Sequence, residues 1–181
     1  YVPLNFRLTA PELSFIIGDC TPSAVIYDRA FQGVIDAIDT SVMPPVLIET
    51  ALDGSDSGYE QCLITDRGPQ QAAPANSDTL SMIMYSSGTT GKPKGVMYTR
   101  RMMLASALNL LQPSEASPES RVLNVMPLFH IHGLMAPVLA NLASGASVYC
   151  TPGFDALRFF GWLDDAAPSW YSAVPTMHQA I

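Results

Sequence analysis

Apolar and polar positions along this chain fall into short blocks, and the blocks switch between two periods. Leu13, Phe15, Ile16 and Ile17 follow Thr9 and Glu12, which stand at capping-box spacing, so a helix is predicted from about Ala10 to Asp19. Ala24–Tyr27 is a short apolar run of strand character. Phe31, Val34, Ile35 and Ile38 return to helical spacing, and Val46–Glu49 reads as the next strand. This alternation predicts βαβ units and a parallel sheet.

Residues from about Leu52 to Asp78 are polar and turn-rich, and are expected to be irregular apart from a short strand near Cys62-Leu-Ile64. A strand follows over 80–86. Thr99 is placed to cap a long helix over about 100–111, with Met102, Met103, Leu104, Ala107, Leu108 and Leu111 as its apolar surface. Gln112–Ser120 is polar, contains two prolines and reads as a linker. Beyond it the alternation restarts. A strand is predicted at 122–126, a helix at 134–144 with Pro137 in its first turns and Gly145 as its stop, and a strand at 147–150. A helix behind Asp155 over 156–163, a strand at 170–174 and a helix from Thr176 complete the pattern. The expected fold class is α/β, with parallel-sheet βαβ units forming one lobe over 1–112, a linker at 113–120 and part of a second lobe over 121–181.

Composition narrows the function classes. The chain has 181 residues, 48% of them hydrophobic, and its mean hydropathy is +0.20. No run approaches the ~20 apolar residues of a membrane helix, so no transmembrane segment is expected. No N-terminal signal pattern is present, and a chain opening on Tyr1 is expected to have lost its native start. Cys20, Cys62 and Cys150 are odd in number, widely spaced and without metal-ligand patterning. They read as free thiols of a reducing compartment, which places the protein in the cytoplasm. A formal charge of −7 without a basic stripe argues against a nucleic-acid partner.

Against that acidic background, one segment concentrates positive charge. Tyr85-Ser-Ser-Gly-Thr-Thr-Gly-Lys-Pro-Lys-Gly-Val96 holds both lysines of the chain, Lys92 and Lys94. Gly88, Gly91 and Gly95 can take positive φ without a Cβ clash. Such a loop can turn successive N–H groups toward one point. Ser86, Ser87, Thr89 and Thr90 add hydroxyl donors. The ligand this combination suits is a polyphosphate. It is not the ordinary P-loop: two residues, not four, separate Gly88 from Gly91, and Lys92 is followed by Pro93, which has no hydroxyl for Mg²⁺. Val96-Met-Tyr98 looks extended, so the loop should lead into a strand rather than a helix, and a helix dipole adds little.

The same residues resemble the phosphate-loop signature of the AMP-forming acyl-adenylate synthetases, which include acyl-CoA synthetases and peptide-synthetase adenylation domains. Three further stretches are similar to the family: Tyr1-Val-Pro-Leu-Asn-Phe-Arg-Leu-Thr-Ala-Pro-Glu-Leu13, Val125-Met-Pro-Leu-Phe-His-Ile-His-Gly-Leu134 and Ser172-Ala-Val-Pro-Thr176. The resemblance runs end to end, over a chain much shorter than the family's full length. It implies a two-step reaction using ATP, Mg²⁺ and coenzyme A on a small-molecule carboxylic acid. Ser86, Ser87, Gly88, Thr89, Thr90, Gly91 and Lys94 would hold the phosphates, with Lys92 at a position where the family varies. His130 would lie beside the acid. His132 is a lesser candidate, on the same side as His130 if the segment is extended, and His178 reads as structural. Arg100 stands where the family commonly has a histidine. The family's later motifs are not in the sequence. The chain is therefore expected to be a fragment of the large N-terminal domain, inactive alone and prone to form a homodimer or larger assembly. An adenylation domain and a non-catalytic scaffold remain the alternatives; the Phe129-His-Ile-His132 stretch favours the fatty or aryl acid branch.

Overall fold

Glu12 closes the start of the first helix as its spacing from Thr9 predicts. In the computed structural model, which describes residues 1–51, 55, 57–63, 76–86, 91–114 and 116–181 (the side chains of 112–114 excepted), α1 spans Ala10–Cys20. The Glu12 carboxylate accepts the Thr9 N–H at 2.8 Å and the Thr9 hydroxyl at 2.7 Å. Pro11 sits in the first turn, where its missing N–H has no partner to lose. Thr21, at φ +42°, ends the helix by bonding its N–H back to the Ile17 carbonyl.

The chain forms two units. The first comprises residues 4–74 and 85–94. Its strands β1 (Ala24–Asp28) and β2 (Val46–Thr50) run parallel, in register from Ala24 opposite Val46 to Asp28 opposite Thr50. The helix predicted between them is much shorter than its apolar spacing suggests. A 3₁₀ turn, Arg29–Phe31, leads into a single turn, α2 (Gln32–Ile35). Gly33 lies inside that turn, where its backbone freedom disfavours helix. The chain still curls on, with the Ile38 N–H reaching the Ile35 carbonyl at 3.1 Å. Ile35 and Ile38 thereby join Leu13, Ile17 and Val25 in one buried cluster.

One expectation fails outright here. In place of a strand near residue 62 the structure has a helix, α3 (Gly58–Leu63). The Ser57 hydroxyl is hydrogen-bonded to the Glu60 carboxylate, the serine-to-glutamate spacing that opens helices. Ile64 lies outside the described residues.

The second unit comprises residues 1–3, 75–84 and 95–181. Strands β3 (Leu80–Ser86) and β4 (Lys94–Thr99), which belong to this unit over residues 80–84 and 95–99, pair with each other. The connection between them is shorter than the dozen or so residues a parallel crossover needs, so they form a hairpin. Thr99 caps α4 (Arg100–Ser114) as predicted, its hydroxyl accepting the Met102 N–H at 3.3 Å. The helix enters the segment expected as linker. Ala107, with Met103 and Leu111 beside it, packs against Met135, Leu139 and Ala140, while Met102, Leu104 and Leu108 stay exposed.

Strand β5 (Arg121–Asn124) is the middle of a parallel three-stranded sheet, flanked by β6 (Ser147–Cys150) and β7 (Trp170–Ser172). Val122 and Leu123, on opposite faces, are both fully buried, as a central parallel strand requires. Helix α7 (Phe159–Ala166) begins later than predicted, because the Asp155 carboxylate first gathers the N–H groups of Leu157 and Arg158 into a turn. Phe159, Trp162 and Ala166 then pack on Leu123 and Val125. The last helix is α8 (Pro175–Ala180).

Between β5 and β6 the chain is helical from residue 131, three residues before the predicted start. It comprises α5 (Ile131–Leu134), a wider π-type stretch over Met135–Ala140 and α6 (Asn141–Ser144). The widening lies around Pro137, which lacks an N–H and crowds the preceding turn. Buried Asn141 donates to the Ala136 and Pro137 carbonyls at 2.8 and 3.1 Å. Gly145, at φ +85°, ends the helix as predicted. Among the described residues no helix is long and apolar enough to cross a membrane.

Candidate functional site

The segment expected to bind phosphate lies between the end of β3 and the start of β4. Met82 and Met84 point into the core and fix the pleat of β3. By alternation Tyr85 points the other way, and its hydroxyl donates to Asp19 Oδ2 on α1 at 2.5 Å. Ser86 is the exposed last residue of β3. Ser87, Gly88, Thr89 and Thr90 lie outside the described residues. Gly91 has φ +82°, a value at which an L side chain is strained. Gly95, by contrast, is an ordinary extended residue of β4. Lys92 places its Nζ 5.6 Å from the centre of the Phe15 ring. Lys94 is exposed at the first position of β4.

Burial pushes the Tyr85 phenol well above its ordinary value, and the bond to Asp19 adds to the effect. The phenol therefore stays protonated as a donor. Burial likewise raises the Cys20 thiol, against a smaller opposing contribution from its hydrogen bonds.

The histidine segment is built differently. It follows β5, where Asn124 is buried and its side-chain oxygen accepts the Met126 N–H at 3.0 Å. Val125 and Met126 are buried; the chain then turns, and the His130 N–H bonds to the Pro127 carbonyl at 3.2 Å. His130 is the residue before α5, and its carbonyl accepts the Leu134 N–H at 3.1 Å. Its ring is exposed and lies 4.6 Å, centre to centre, from that of Phe129. The side chain is thus presented on the surface of its unit rather than satisfied inside a core.

Two other histidines are placed by side-chain bonds. Because the helix begins at Ile131, His132 is not the extended neighbour of His130 that the sequence suggested. Its Nε2 is 2.7 Å from the Ser172 hydroxyl on β7. His178 Nδ1 is 3.0 Å from the Tyr171 hydroxyl, its rings 5.3 Å apart, an arrangement within one corner of the fold.

Three residues of these sites escaped the sequence reading. Asp19 and Phe15 touch the loop arms, yet Asp19 is 66 positions from Tyr85, and nothing local marks that meeting. Gly133 was visible inside its motif, but its reason was not. A Cβ there would lie 2.3 Å from the Pro127 carbonyl oxygen, so only glycine lets α5 lie on the turn.

The family model described as AMP-binding enzyme matches residues 1–181. The chain belongs to that family. It is 35% identical over 164 residues to the indoleacetate–CoA ligase of Aromatoleum aromaticum, covering 86% of this chain and 31% of that protein. It is 40% identical over 178 residues to the sulfoacetate–CoA ligase of Cupriavidus necator, covering 97% and 34%. Among solved structures, ATP-bound MatB from Rhodopseudomonas palustris superposes with a TM-score of 0.85 at 27% identity, over 99% of this chain and 35% of MatB. The inhibitor-bound N-terminal domain of FACL13 from Mycobacterium tuberculosis gives 0.83 at 30% identity, over 98% and 44%. The chain therefore spans about a third of the length of the curated relatives it matches. Its fold is that of part of an acyl-CoA synthetase N-terminal domain, in which the expected parallel-strand sheets are present.

Proposed function

We propose that this chain is the phosphate-loop portion of an ATP-dependent acyl-CoA synthetase. The observation that carries the reading is the Tyr85–Val96 string, held between the paired strands β3 and β4 in a chain that matches the AMP-binding family end to end. In the first step a carboxylate oxygen of the substrate bonds to the α-phosphorus of ATP. The bond to the bridging oxygen breaks, and pyrophosphate leaves. In the second step the thiol of coenzyme A bonds to the acyl carbon, loses its proton and releases AMP.

The chain's part in the first step is to hold the leaving group and orient the acid. Ser86 through Gly91 and Lys94 are the pyrophosphate-binding residues, with Lys92 beside them. The exposed ring of His130 is offered to the carboxylate. Mg²⁺ commonly accompanies ATP in such reactions. Among the described residues no cluster of three His, Cys, Asp or Glu side chains is placed to hold a metal, so no step is assigned to the ion. The CoA-ligase relatives favour this reading over an adenylation domain or a scaffold. Cys20 and Cys150 are free thiols, which suits a cytoplasmic setting.

The isolated chain is proposed to be silent and to self-associate, because Ile26, Val46 and Leu47 on one unit and Met97, Leu104 and Leu108 on the other are exposed. Light scattering checks this; a clean monomer overturns it. The function itself is tested by ATP–pyrophosphate exchange with the full-length protein against a panel of acids, including indoleacetate, sulfoacetate, ferulate, oxalate and a long-chain fatty acid. Exchange with at least one is expected. A protein that binds ATP and exchanges with none overturns the proposal.

A further inference from the structure

The two arms of the phosphate loop rest on one face of one helix. Tyr85, the last residue but one of β3, donates to Asp19. Lys92, on the returning arm, lies over Phe15. Phe15 and Asp19 are four apart on α1, so they are neighbours on the same side of the helix, one turn from each other. All four residues belong to the first unit.

Helix stability does not account for Asp19. It lies in the last turn of α1, where the helix carries partial negative charge and a carboxylate is disfavoured. No basic residue offsets it in that turn. Such a local conflict marks a residue held for a reason outside its own element. Its partner is the group that opens the loop, adjacent to Ser86. Phe15 is half-buried, and a ring face there gives the Lys92 ammonium a seat without a counter-charge.

We propose that α1 is the platform that sets the phosphate loop for ATP, with Asp19 positioning the incoming arm through Tyr85 and Phe15 the outgoing arm through Lys92. On this view Lys92 acts on the nucleotide through its seat on Phe15, and Lys94 is the lysine left to meet phosphate. The inference rests on the reading that the loop binds ATP. Asp19 and Phe15 are positioning residues, since each touches a loop residue and not the reacting atoms.

The test uses the full-length protein and MgATP alone as probe, by isothermal titration calorimetry, with thermal melting measured on the same samples. Tyr85→Phe and Asp19→Asn are each expected to raise the Kd for MgATP by about three- to tenfold, part of what one charge-assisted bond supplies. Melting temperatures should stay within about 2 °C of wild type. The double variant should bind no worse than the weaker single, because both changes act on the same bond, Tyr85→Phe removing it and Asp19→Asn removing its charge. Phe15→Leu should weaken binding by about two- to threefold. If Tyr85→Phe fails to fold, Asp19→Asn, an isosteric change at an exposed position, decides alone. Unchanged MgATP affinity in a folded Asp19→Asn overturns the platform, as does a fall in melting temperature with affinity intact. A wild-type protein that binds no MgATP overturns the ATP reading and this role with it.

Discussion

The arms of the phosphate loop are fastened by side-chain tips, whereas the His130 turn is fastened by main chain. At the loop a phenol meets a carboxylate and an ammonium lies over a ring, both at partly exposed positions. At the turn, a backbone bond from His130 to Pro127, buried Val125 and Met126, and a helix pressed onto the Pro127 carbonyl leave no room to shift. The difference suits two tasks. On the proposed function the loop grips a polyphosphate and releases pyrophosphate, so it must yield, which single side-chain contacts allow. On the same proposal His130 faces the acid and must hold its angle, and steric exclusion does that without an exposed ion pair.

The comparison breaks most visibly at Gly133. Gly133→Ala puts a methyl carbon 2.3 Å from the Pro127 carbonyl oxygen and 2.9 Å from the Met126 Cβ. Neither backbone nor buried side chain has space to move, so the change should destabilise by about 3 kcal/mol or more. Urea unfolding of the full-length protein checks this. A loss below about 1 kcal/mol would show that the turn yields as readily as the loop.

Lys94→Ala probes the loop. Loss of one charged hydrogen bond to phosphate, worth about 1.5–3 kcal/mol, should slow adenylation by one to two orders of magnitude. Stability should hardly change, since the side chain is exposed. Pyrophosphate exchange and a melting curve on the same variant separate the two effects.

His130→Ala sharpens the contrast from the other side. It should reduce exchange about tenfold, the worth of one hydrogen bond to the acid, with MgATP affinity unchanged by calorimetry. Collapse of MgATP binding with acid dependence intact would place this histidine with the nucleotide instead.

The smallest effect is expected at Glu12. The backbone N–H of Thr9, then its hydroxyl, hold this carboxyl below its usual range. A lowered folded-state value means that the stabilisation is present above the unfolded value near 4.5 and fades as pH falls through the folded one. Glu12→Gln should therefore melt slightly below wild type at pH 7. Because the group is fully exposed, the gap should be small, and it should close in melts taken below pH 4.

The strands, α1 with its cap, and the termini of α4 and α6 at Thr99 and Gly145 were legible along the chain. Each depends on residues within a few positions of one another. Ser57 with Glu60 carries the same kind of signal, set against the apolar look of Cys62-Leu-Ile64, and apolar propensity lost there to a cap. The early stop of α2, the late start of α7 and the widened turn at Pro137 were less legible. They follow from Gly33, the Asp155 carboxylate and Pro137, whose effects the apolar spacing does not register.

By itself, then, the sequence determined the alternation of elements, the family, and the residue types gathered at Tyr85–Val96 and Pro127–Gly133. These are properties of short-range spacing, backbone freedom and charge. Tertiary structure alone decided that Asp19 and Phe15 sit under the loop arms, that His132 turns to Ser172, and that Gly133 admits no side chain. The first two join groups far apart in the chain, and the third folds a helix back onto the turn just before it; close packing selects such partners by shape and distance in space, which a linear pattern does not encode.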